Sequence, residues 1–347
     1  MRVLLVKMTS MGDVFHALPA VSELKSYFPD VVIDWLVDEQ FAEIPLWSRH
    51  INRVFSVPLR QLKKDKKWSG FSALRVVLKE IRKQQYDLIV DAQGLLKSAL
   101  ISRSLCAKQR HGYAKGSIRE PIASCFYTHQ HVIEFEQHAV TRLRQLFAAS
   151  LGYSYDDSRE LDYGLRLQHV IHKKPQQTLL CFPCTSWPSK HWPVEYWREL
   201  FSLLDDGRRL IQLAWGSAKD REYALHLSRG FNHVELLPST TITEVCDDVK
   251  QVHTVIAVDA GFAHLPQMFG VPLVALYGAS SLRRTGPLAK RQRILSAEFS
   301  CSPCFKRQCQ FKGDSKLKPA CYETVTPSTV NQAVLELLSD SVDLPTA

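Results

Sequence analysis

Short apolar runs, several rich in β-branched residues, alternate along this chain with stretches of helical periodicity. Strands that alternate with helices in this way build βαβ units around a buried parallel sheet, so the pattern predicts an α/β fold. In the first half, strands are predicted at residues 2–7, 31–38, 53–57 and 87–91. Helices are predicted there at residues 22–27, 73–84, 97–105 and 136–149.

The alternation stops in a polar stretch, residues 152–177, and then begins again. Second-half strands are predicted at residues 178–182, 209–215, 234–237, 254–258 and 273–277. Helices are predicted at residues 193–204, 218–229, 242–250, 262–269 and 327–338. A chain of 347 residues is long enough for two cores. We therefore expect two doubly wound, Rossmann-like domains facing a central cleft, at residues 1–165 and 166–326, with a C-terminal helix and tail at residues 327–347.

The charge balance favours an anionic partner. A net charge of +9 and a pI near 9.1 suit phosphates or an anionic membrane better than a cationic partner. No RNA-binding signature accompanies the charge, so no nucleic-acid partner is predicted. No apolar run reaches the roughly 18–20 residues that span a bilayer, and the start of the chain lacks a signal-type apolar core. We expect a cytoplasmic protein.

The first predicted strand is followed by a loop, residues 7–13, that offers hydroxyl groups, a glycine and a carboxylate. Parallel sheets bind ligands at the carboxyl ends of their strands, which makes this loop a candidate site. Asp13 has two interpretations of equal weight: it caps the following helix, or it takes the proton of an attacking hydroxyl group. A transferase that inverts an anomeric carbon in one displacement needs such a base on the acceptor side.

A loop of the second half has the composition of a donor site. Asp259, Ala260 and Gly261 follow a strand and precede a predicted helix that carries His264. Backbone N–H groups at a helix start, approached closely at a glycine, can bind phosphate without a metal. Because Asp259 would repel phosphate, sugar hydroxyls are its better partners. His264 either lines the cleft or is a core histidine.

Two further second-half loops offer nucleotide contacts. Thr185, Ser186 and Lys190 follow another strand, and a lysine there would offset the charge of a departing nucleoside diphosphate. The alternative is a solvated polar loop. An acidic residue just past a strand suits a ribose, and here Asp220 and Glu222 both qualify, or belong to an ordinary helix surface.

Five motifs run in order across most of the chain. They are Met-Arg-Val-Leu-Leu-Val-Lys with Ser10-Met11-Gly12-Asp13, then Asp91-Ala92-Gln93-Gly94-Leu95, Arg119-Glu120-Pro121, Lys190-His191-Trp192-Pro193 and Asp259-Ala260-Gly261-Phe262-Ala263-His264-Leu265. Together they closely resemble the bacterial lipopolysaccharide heptosyltransferase I family, within glycosyltransferase family nine. The resemblance implies an inverting, metal-independent enzyme with the GT-B fold and no cofactor. It also implies ADP-L-glycero-D-manno-heptose as donor in the second half, and the Kdo sugar of lipid A as acceptor in the first, in lipopolysaccharide inner-core biosynthesis.

The resemblance implies roles for single residues as well. Asp13 matches the catalytic base, and Lys190 is expected to act beside the departing ADP. Expected donor contacts are Thr185, Ser186, Lys190, Asp220, Asp259, Ala260, Gly261 and His264. Expected acceptor contacts are Ser10, Gly12, Arg60, Asp91, Lys97 and Arg119. Ala260 stands where the family usually has a hydroxyl residue, and Asp220 is shorter than the usual glutamate.

Residues 60–68 hold five cations and one tryptophan. Such a run is usually a solvated loop. With a phosphorylated lipid as acceptor, it instead suggests peripheral docking at the anionic inner leaflet of the cytoplasmic membrane.

Four of the nine cysteines, Cys301, Cys304, Cys309 and Cys321, fall in one segment. One C-x₂-C pair with two further thiols makes a tetrahedral zinc site chemically conceivable. The spacing is irregular, and no metal is predicted.

Three alternatives to the favoured function are retained. A heptosyltransferase II-like enzyme would add heptose to a heptose acceptor. A dinucleotide-dependent oxidoreductase also suits doubly wound domains, although no G-x-G-x-x-G follows the first strand. A non-enzymatic anion-binding protein is the third.

Overall fold

The computed structural model describes residues 1–59, 68–166, 174–238 and 241–340. Arg60 and every cation of the predicted basic run lie outside the described residues, as does part of the predicted linker. The chain divides into two compact units, Met1–Gln168 and His169–Ala347.

The first unit is a six-stranded parallel sheet with helices. Its strands are β1 (Arg2–Val6), β2 (Val32–Asp38), β3 (Ile51–Val57), β4 (Tyr86–Asp91), β5 (Ala107–Tyr113) and β6 (His129–His131). Its described α-helices are α1 (Met11–Tyr27), α2 (Glu43–Leu46), α3 (Trp68–Arg82), α4 (Leu96–Ser104) and α5 (Ala139–Leu151). Short 3₁₀ turns cover Glu39–Phe41, Lys115–Ser117 and Pro121–Phe126.

The second unit repeats this plan. Its strands are β7 (Thr178–Phe182), β8 (Leu210–Leu213), β9 (Val234–Leu236), β10 (Thr254–Val258), β11 (Leu273–Tyr277) and β12 (Gln292–Ser296). Its described α-helices are α6 (Val194–Leu204), α7 (Ala218–Ser228), α8 (Ile242–Gln251), α9 (Leu265–Phe269), α10 (Leu282–Thr285) and α11 (Pro327–Ser339). Short 3₁₀ turns cover Pro188–Lys190, Gly261–His264 and Ala320–Thr324.

Both sheets have the doubly wound strand order of Rossmann folds. The first runs β3-β2-β1-β4-β5-β6, and the second runs β12-β11-β10-β7-β8-β9. Read from the other edge, with its strands counted from β7, the second sheet has the same order as the first. The order reverses between β1 and β4 in the first sheet and between β7 and β10 in the second. Ligands of such sheets bind outside the carboxyl ends of the strands at this switch point. The loops after these four strands are therefore the places to examine.

The prediction of two doubly wound domains is confirmed, and several element boundaries need correction. Three strands, β5, β6 and β12, are absent from the sequence prediction because polar residues dominate them. The helix predicted at residues 22–27 begins at Met11. Residues Gly12 to Leu24 of α1 are almost all buried, so this helix has no polar face from which to recognise its period. The segment predicted as one helix at 262–269 is a 3₁₀ turn followed by α9.

The C-terminal helix α11 belongs to the core of the second unit. It packs on α6 and buries Val330, Val334 and Leu337 in one cluster with Trp192 and Trp197. The Trp192 indole N–H donates to the carbonyl of Val325, 2.9 Å away, just before α11 begins. No helix among the described residues is both long and apolar enough to cross a membrane.

Candidate functional site

Asp13 lies on the first turn of α1, directly outside β1. The N-cap of this helix is Ser10, and Asp13 is three residues further on. One carboxylate oxygen, Oδ2, accepts hydrogen bonds from the backbone N–H and the hydroxyl of Ser10, each at 2.8 Å. The other, Oδ1, is 3.4 Å from the ammonium of Lys7. The side chain of Asp13 remains 38% exposed. The N-cap is therefore Ser10, and Asp13 contributes to capping as the third residue of the helix, with its carboxylate still accessible.

The charge state of Asp13 follows from these contacts. Burial disfavours the charged carboxylate, but the Lys7 ammonium and the hydrogen bonds from Ser10 outweigh it and lower the pKa of Asp13 below 3.8. Lys7 is itself buried and also donates to the carbonyl of Ala92, at 3.2 Å. Asp13 is thus an ionised base throughout the neutral pH range.

The loop after β4 supports the loop after β1. Asp91 lies opposite Val6 in the parallel register. The side-chain oxygen of Gln93 accepts from the backbone N–H groups of Met8 and Thr9, at 2.9 and 2.8 Å. This amide therefore holds the backbone that leads to Ser10 and Asp13.

Asp91 is completely buried beneath this loop. Its Oδ1 accepts from the N–H groups of Gln93 and Gly94, at 3.0 and 3.1 Å, and its Oδ2 accepts from the Tyr127 hydroxyl at 2.9 Å. Gly94 has a φ of +67°, which an L side chain rarely adopts. In this structure Asp91 shapes the loop from below, and its carboxylate has no exposure to solvent.

The buried carboxyl group of Asp91 gives a testable pH dependence of stability. Burial raises its pKa from 3.8 to about 6, although hydrogen bonds from Gly94 and Tyr127 act in the opposite direction. Between about pH 4 and pH 6 the folded state therefore holds this proton more tightly than the unfolded chain, so stability falls as pH rises. We expect the stability difference between Asp91→Asn and wild type to change in favour of the variant as pH rises, by on the order of 3 kcal/mol between pH 4 and pH 7.

Urea unfolding at a series of pH values measures this difference, and Asp87→Asn on the same strand is the control. The ion pair of Asp87 with Lys108 lowers the pKa of Asp87. The stability that this ion pair adds to the folded state is therefore lost as pH falls below about 4. As pH rises, the stability of Asp91→Asn relative to wild type should increase between about pH 4 and pH 6, whereas that of Asp87→Asn should decrease up to about pH 4. A pH-independent difference for Asp91→Asn would contradict a raised pKa.

Two other predicted acceptor residues of this unit occupy connected segments. Lys97 lies in the first turn of α4, and Arg119 is exposed just before the 3₁₀ turn Pro121–Phe126. The carboxylate of Glu120 accepts from the backbone N–H of Leu96, at 2.7 Å, and so ties the two segments together. Gly12 is buried in α1. The structure brings Lys97 and Arg119 to neighbouring segments by a bond that the sequence did not indicate.

In the second unit, Lys190 and Asp259 form an ion pair. Lys190 ends the 3₁₀ turn after β7, and Asp259 directly follows β10. Lys190 Nζ is 2.5 Å from Asp259 Oδ2, and the ammonium lies 5.0 Å from the centre of the Trp187 ring. The hydroxyl of Ser280, in the loop after β11, donates to the same carboxylate oxygen. Loops after three neighbouring strands thus converge on one carboxylate.

The backbone around Lys190 is also fixed. The buried Tyr322 hydroxyl donates to the carbonyl of Lys190, at 3.0 Å. Thr185 donates from its hydroxyl to the carbonyl of Asp259, at 3.3 Å, and its own carbonyl lies 2.8 Å from His191 Nε2. Ser186, next to Thr185, is exposed. The predicted residues Thr185, Lys190 and Asp259 are therefore one connected cluster.

The loop after β10 continues into a turn without a side-chain cap. Ala260 is the N-cap of the turn Gly261–His264 and has no side chain able to bond it, as the sequence indicated. His264 is almost fully buried and has partners within the fold. Phe262, beside Gly261, stacks on Phe182, with ring centres 5.1 Å apart.

Asp220 lies on the first turn of α7, where Ser217 is the N-cap. The Ser217 hydroxyl is 2.7 Å from Asp220 Oδ2 and also accepts from the backbone N–H of Asp220. The thiol of Cys184, after β7, lies 3.9 Å from the Asp220 carbonyl, which places Asp220 beside the β7 loop. Glu222 is exposed further along the helix.

The four clustered cysteines line one cavity of about 310 Å³, together with Ser189 and Phe311. All four are free thiols. Within the described parts of the chain, no group of three or more His, Cys, Asp or Glu side chains is arranged to hold a metal ion. The segment has a structural link to the Lys190 turn, because Ser189 donates to the carbonyls of Lys306 and Arg307, at 2.5 and 3.2 Å.

Sequence reasoning missed four residues that shape these clusters. Lys7, Gln93, Ser280 and Tyr322 each contact a predicted site residue or its loop. Lys7 and Gln93 lie in the loops that follow β1 and β4, which was an available signal. Ser280 and Tyr322 carry no such signal, because only the folded sheet brings them to Asp259 and Lys190.

Two parallel Rossmann-like sheets, each with polar side chains gathered at its switch point, define the two-domain α/β class of nucleotide-sugar transferases known as GT-B. A sequence model of glycosyltransferase family 9 (heptosyltransferase) matches residues 74–314. Lipopolysaccharide heptosyltransferase 1 of Pseudomonas aeruginosa is 36% identical over 342 residues, which are 95% of this chain and 96% of that protein.

Solved structures agree with this assignment. The structure of E. coli heptosyltransferase WaaC with ADP has a TM-score of 0.83 and 33% identity, and it covers 97% of this chain and 100% of that one. The same enzyme with ADP-2-deoxy-2-fluoro heptose has a TM-score of 0.81 and 33% identity, over 97% and 99% of the two chains. The chain belongs to glycosyltransferase family 9, the heptosyltransferases. The oxidoreductase and the non-enzymatic alternatives are therefore excluded.

Proposed function

We propose that this enzyme transfers L-glycero-D-manno-heptose from ADP-heptose to the Kdo sugar of lipid A, in lipopolysaccharide inner-core biosynthesis. The observation that carries the proposal is the 36% identity to a lipopolysaccharide heptosyltransferase 1 over nearly the whole of both chains. The donor proposal is supported by the likeness to an enzyme solved with ADP and with a fluorinated ADP-heptose.

Asp13 is the proposed catalytic base of an inverting displacement. An acceptor hydroxyl oxygen attacks the anomeric carbon of heptose while the bond from that carbon to the phosphate oxygen breaks. The hydroxyl proton passes to the carboxylate of Asp13, and the bonding electrons leave with ADP. Support comes from the ionised state of Asp13, its 38% exposure and its position at the switch point of the first sheet.

Lys190 is the proposed partner of the departing diphosphate. Its ammonium is held in place by Asp259 and by the Trp187 ring. The side chain is therefore already positioned when negative charge develops on the departing ADP. Asp259 would then share its hydrogen-bonding capacity between Lys190 and sugar hydroxyls. Further proposed donor contacts are Thr185, Ser186, Asp220, Ala260, Gly261 and His264. We propose that the step is metal-independent, with turnover retained in EDTA.

Positively charged side chains form the proposed acceptor site. The carboxylate of Kdo and the phosphates of lipid A are anionic, and Arg60, Lys97 and Arg119 are suited to bind them. Ser10 and Gly12 lie beside Asp13, where the attacking hydroxyl would sit. We assign Asp91 a positioning role, since its carboxylate holds the loop that carries Gln93. The first domain is thus proposed to bind the acceptor and the second the donor, with the enzyme at the inner membrane surface.

A coupled assay of ADP release tests the proposal. We expect turnover with ADP-heptose and Kdo–lipid A, and none with UDP- or GDP-sugars. The heptosyltransferase II alternative is tested by supplying an acceptor that already carries one heptose. Turnover only on that heptosylated acceptor would replace the proposed function by the alternative.

A further inference from the structure

The first unit carries an unusual surface around α4. Residues 92–133 contain six Lys or Arg and a single acidic residue, a net charge of +5 out of +9 for the whole chain. Three large aliphatic side chains are exposed in the same stretch: Leu100 by 48%, Ile122 by 60% and Val132 by 87%. Single exposed aliphatic residues are ordinary, but their combination with one sign of charge is not.

The segments that carry these side chains are joined in the fold. The helix α4 and the turn Lys115–Ser117 both pack against the turn Pro121–Phe126. The backbone N–H of Ile133 donates to the Ser117 hydroxyl, at 2.8 Å, and the N–H of Ala114 donates to the carbonyl of His131, at 2.8 Å. Leu100, Ile122 and Val132 therefore belong to one connected part of the unit, which we call the aliphatic–basic surface, together with Arg103 and Lys115.

Glu120 is the one acidic residue of this stretch, and the net charge of +5 already includes it. Its carboxylate accepts from the Leu96 N–H at the start of α4. Lys108 is paired with Asp87, and Arg110 donates to the carbonyl of Ser102. Arg103 and Lys115 are exposed on the same segments as the aliphatic side chains.

We infer that the aliphatic–basic surface is where the enzyme docks on an anionic phospholipid bilayer. Aliphatic side chains that enter the interface, flanked by cations that meet phosphate headgroups, are the combination that binds peripheral proteins to membranes. The inference rests on the proposed function, since Lys97 and Arg119, its proposed acceptor contacts, lie on the same segments. An acceptor sugar attached to acyl chains can reach only a site close to the bilayer.

Vesicle co-sedimentation of the full chain tests the docking surface without any acceptor present. The vesicles contain equal parts of phosphatidylglycerol and phosphatidylcholine, or phosphatidylcholine alone. We expect Leu100→Ser/Ile122→Ser/Val132→Ser to weaken binding to the anionic vesicles about tenfold or more, because three aliphatic contacts with the bilayer are lost. Arg103→Ser/Lys115→Ser should weaken binding to anionic vesicles only.

Matched controls come from the second unit. Leu203→Ser/Leu225→Ser/Leu335→Ser removes three leucines that are 39% to 45% exposed, and Arg208→Ser/Arg229→Ser removes two exposed cations. Both should bind vesicles as wild type does. Equal pelleting of the aliphatic triple variant and wild type on anionic vesicles would overturn the inference, as would an equal loss in the leucine control.

Turnover separates this inference from the proposed function. The aliphatic triple variant should keep wild-type turnover on a soluble, deacylated acceptor and lose turnover on an acceptor embedded in vesicles. Absence of heptose transfer by wild type would reject the proposed function, and the vesicle measurements would still decide the docking surface. Equal loss of turnover on both acceptors would contradict a role confined to docking.

Discussion

Asp13→Asn is expected to reduce kcat by about 10²–10⁴-fold, the range that a positioned general base contributes. The amide cannot take the acceptor proton, whereas its size and position on α1 are unchanged. Because Asp13 lies in the first unit and the proposed donor residues lie in the second, the affinity for ADP-heptose should stay within about twofold. Steady-state assays at saturating substrate give kcat, and calorimetric titration with ADP gives the affinity for the nucleotide part of the donor.

The control for Asp13 is Ser10→Ala, which removes one hydrogen bond to the carboxylate and keeps the backbone one. It should lose far less activity than Asp13→Asn. Turnover of Asp13→Asn near the wild-type value would reject Asp13 as the base and leave it only its structural role on the first turn of α1.

Substitution of Lys7 gives a second test of Asp13 as the catalytic base, through the pH dependence of activity. Its ammonium lowers the pKa of Asp13, so Lys7→Met should raise that pKa. Activity that depends on ionised Asp13 would then be lost at a higher pH as the solution is acidified. The pH at which kcat/KM falls on acidification should be higher in Lys7→Met than in wild type. In wild type, protonation of Asp13 should not lower kcat/KM above about pH 4.

The sheet architecture was predictable from the sequence where strands are buried on both faces. In each of β1, β7 and β10 the four residues after the first are apolar and buried, and the ends of these strands were located to within a residue. β5 was not, because its residues 107–111, Ala-Lys-Gln-Arg-His, face partly outward and follow no apolar pattern. Its place next to β4 is decided by sheet pairing, which local sequence does not encode.

The candidate site was predictable in its loops more than in its contacts. Both switch points lie where the loops after strands were expected, because strand order and strand ends together determine them. The sequence could not indicate that Asp91 is fully buried, since that depends on Tyr127, which is 36 residues away along the chain. Nor could it pair Lys190 with Asp259, since the loops after β7 and β10 must meet for that contact.

Removing Lys190 should separate catalysis from stability. We expect Lys190→Gln to reduce kcat/KM by about 10²–10³-fold, the usual loss when one group that stabilises developing charge is removed. It also leaves the carboxylate of Asp259, whose side chain is 8% exposed, without its counter-ion. Removing one partner of a buried pair costs about 3–5 kcal/mol, and the 18% exposure of Lys190 places the loss near the lower value.

The double variant Lys190→Gln/Asp259→Asn decides between two roles for this lysine. Its stability should recover most of the loss, since no unpaired charge remains between the loops after β7 and β10. Its turnover should stay as low as that of Lys190→Gln, because the departing diphosphate still lacks a cation. Asp259→Asn alone keeps the ammonium and should lose less activity than Lys190→Gln. If the double variant regained wild-type turnover, Lys190 would serve only to neutralise Asp259, and the leaving-group role would be wrong.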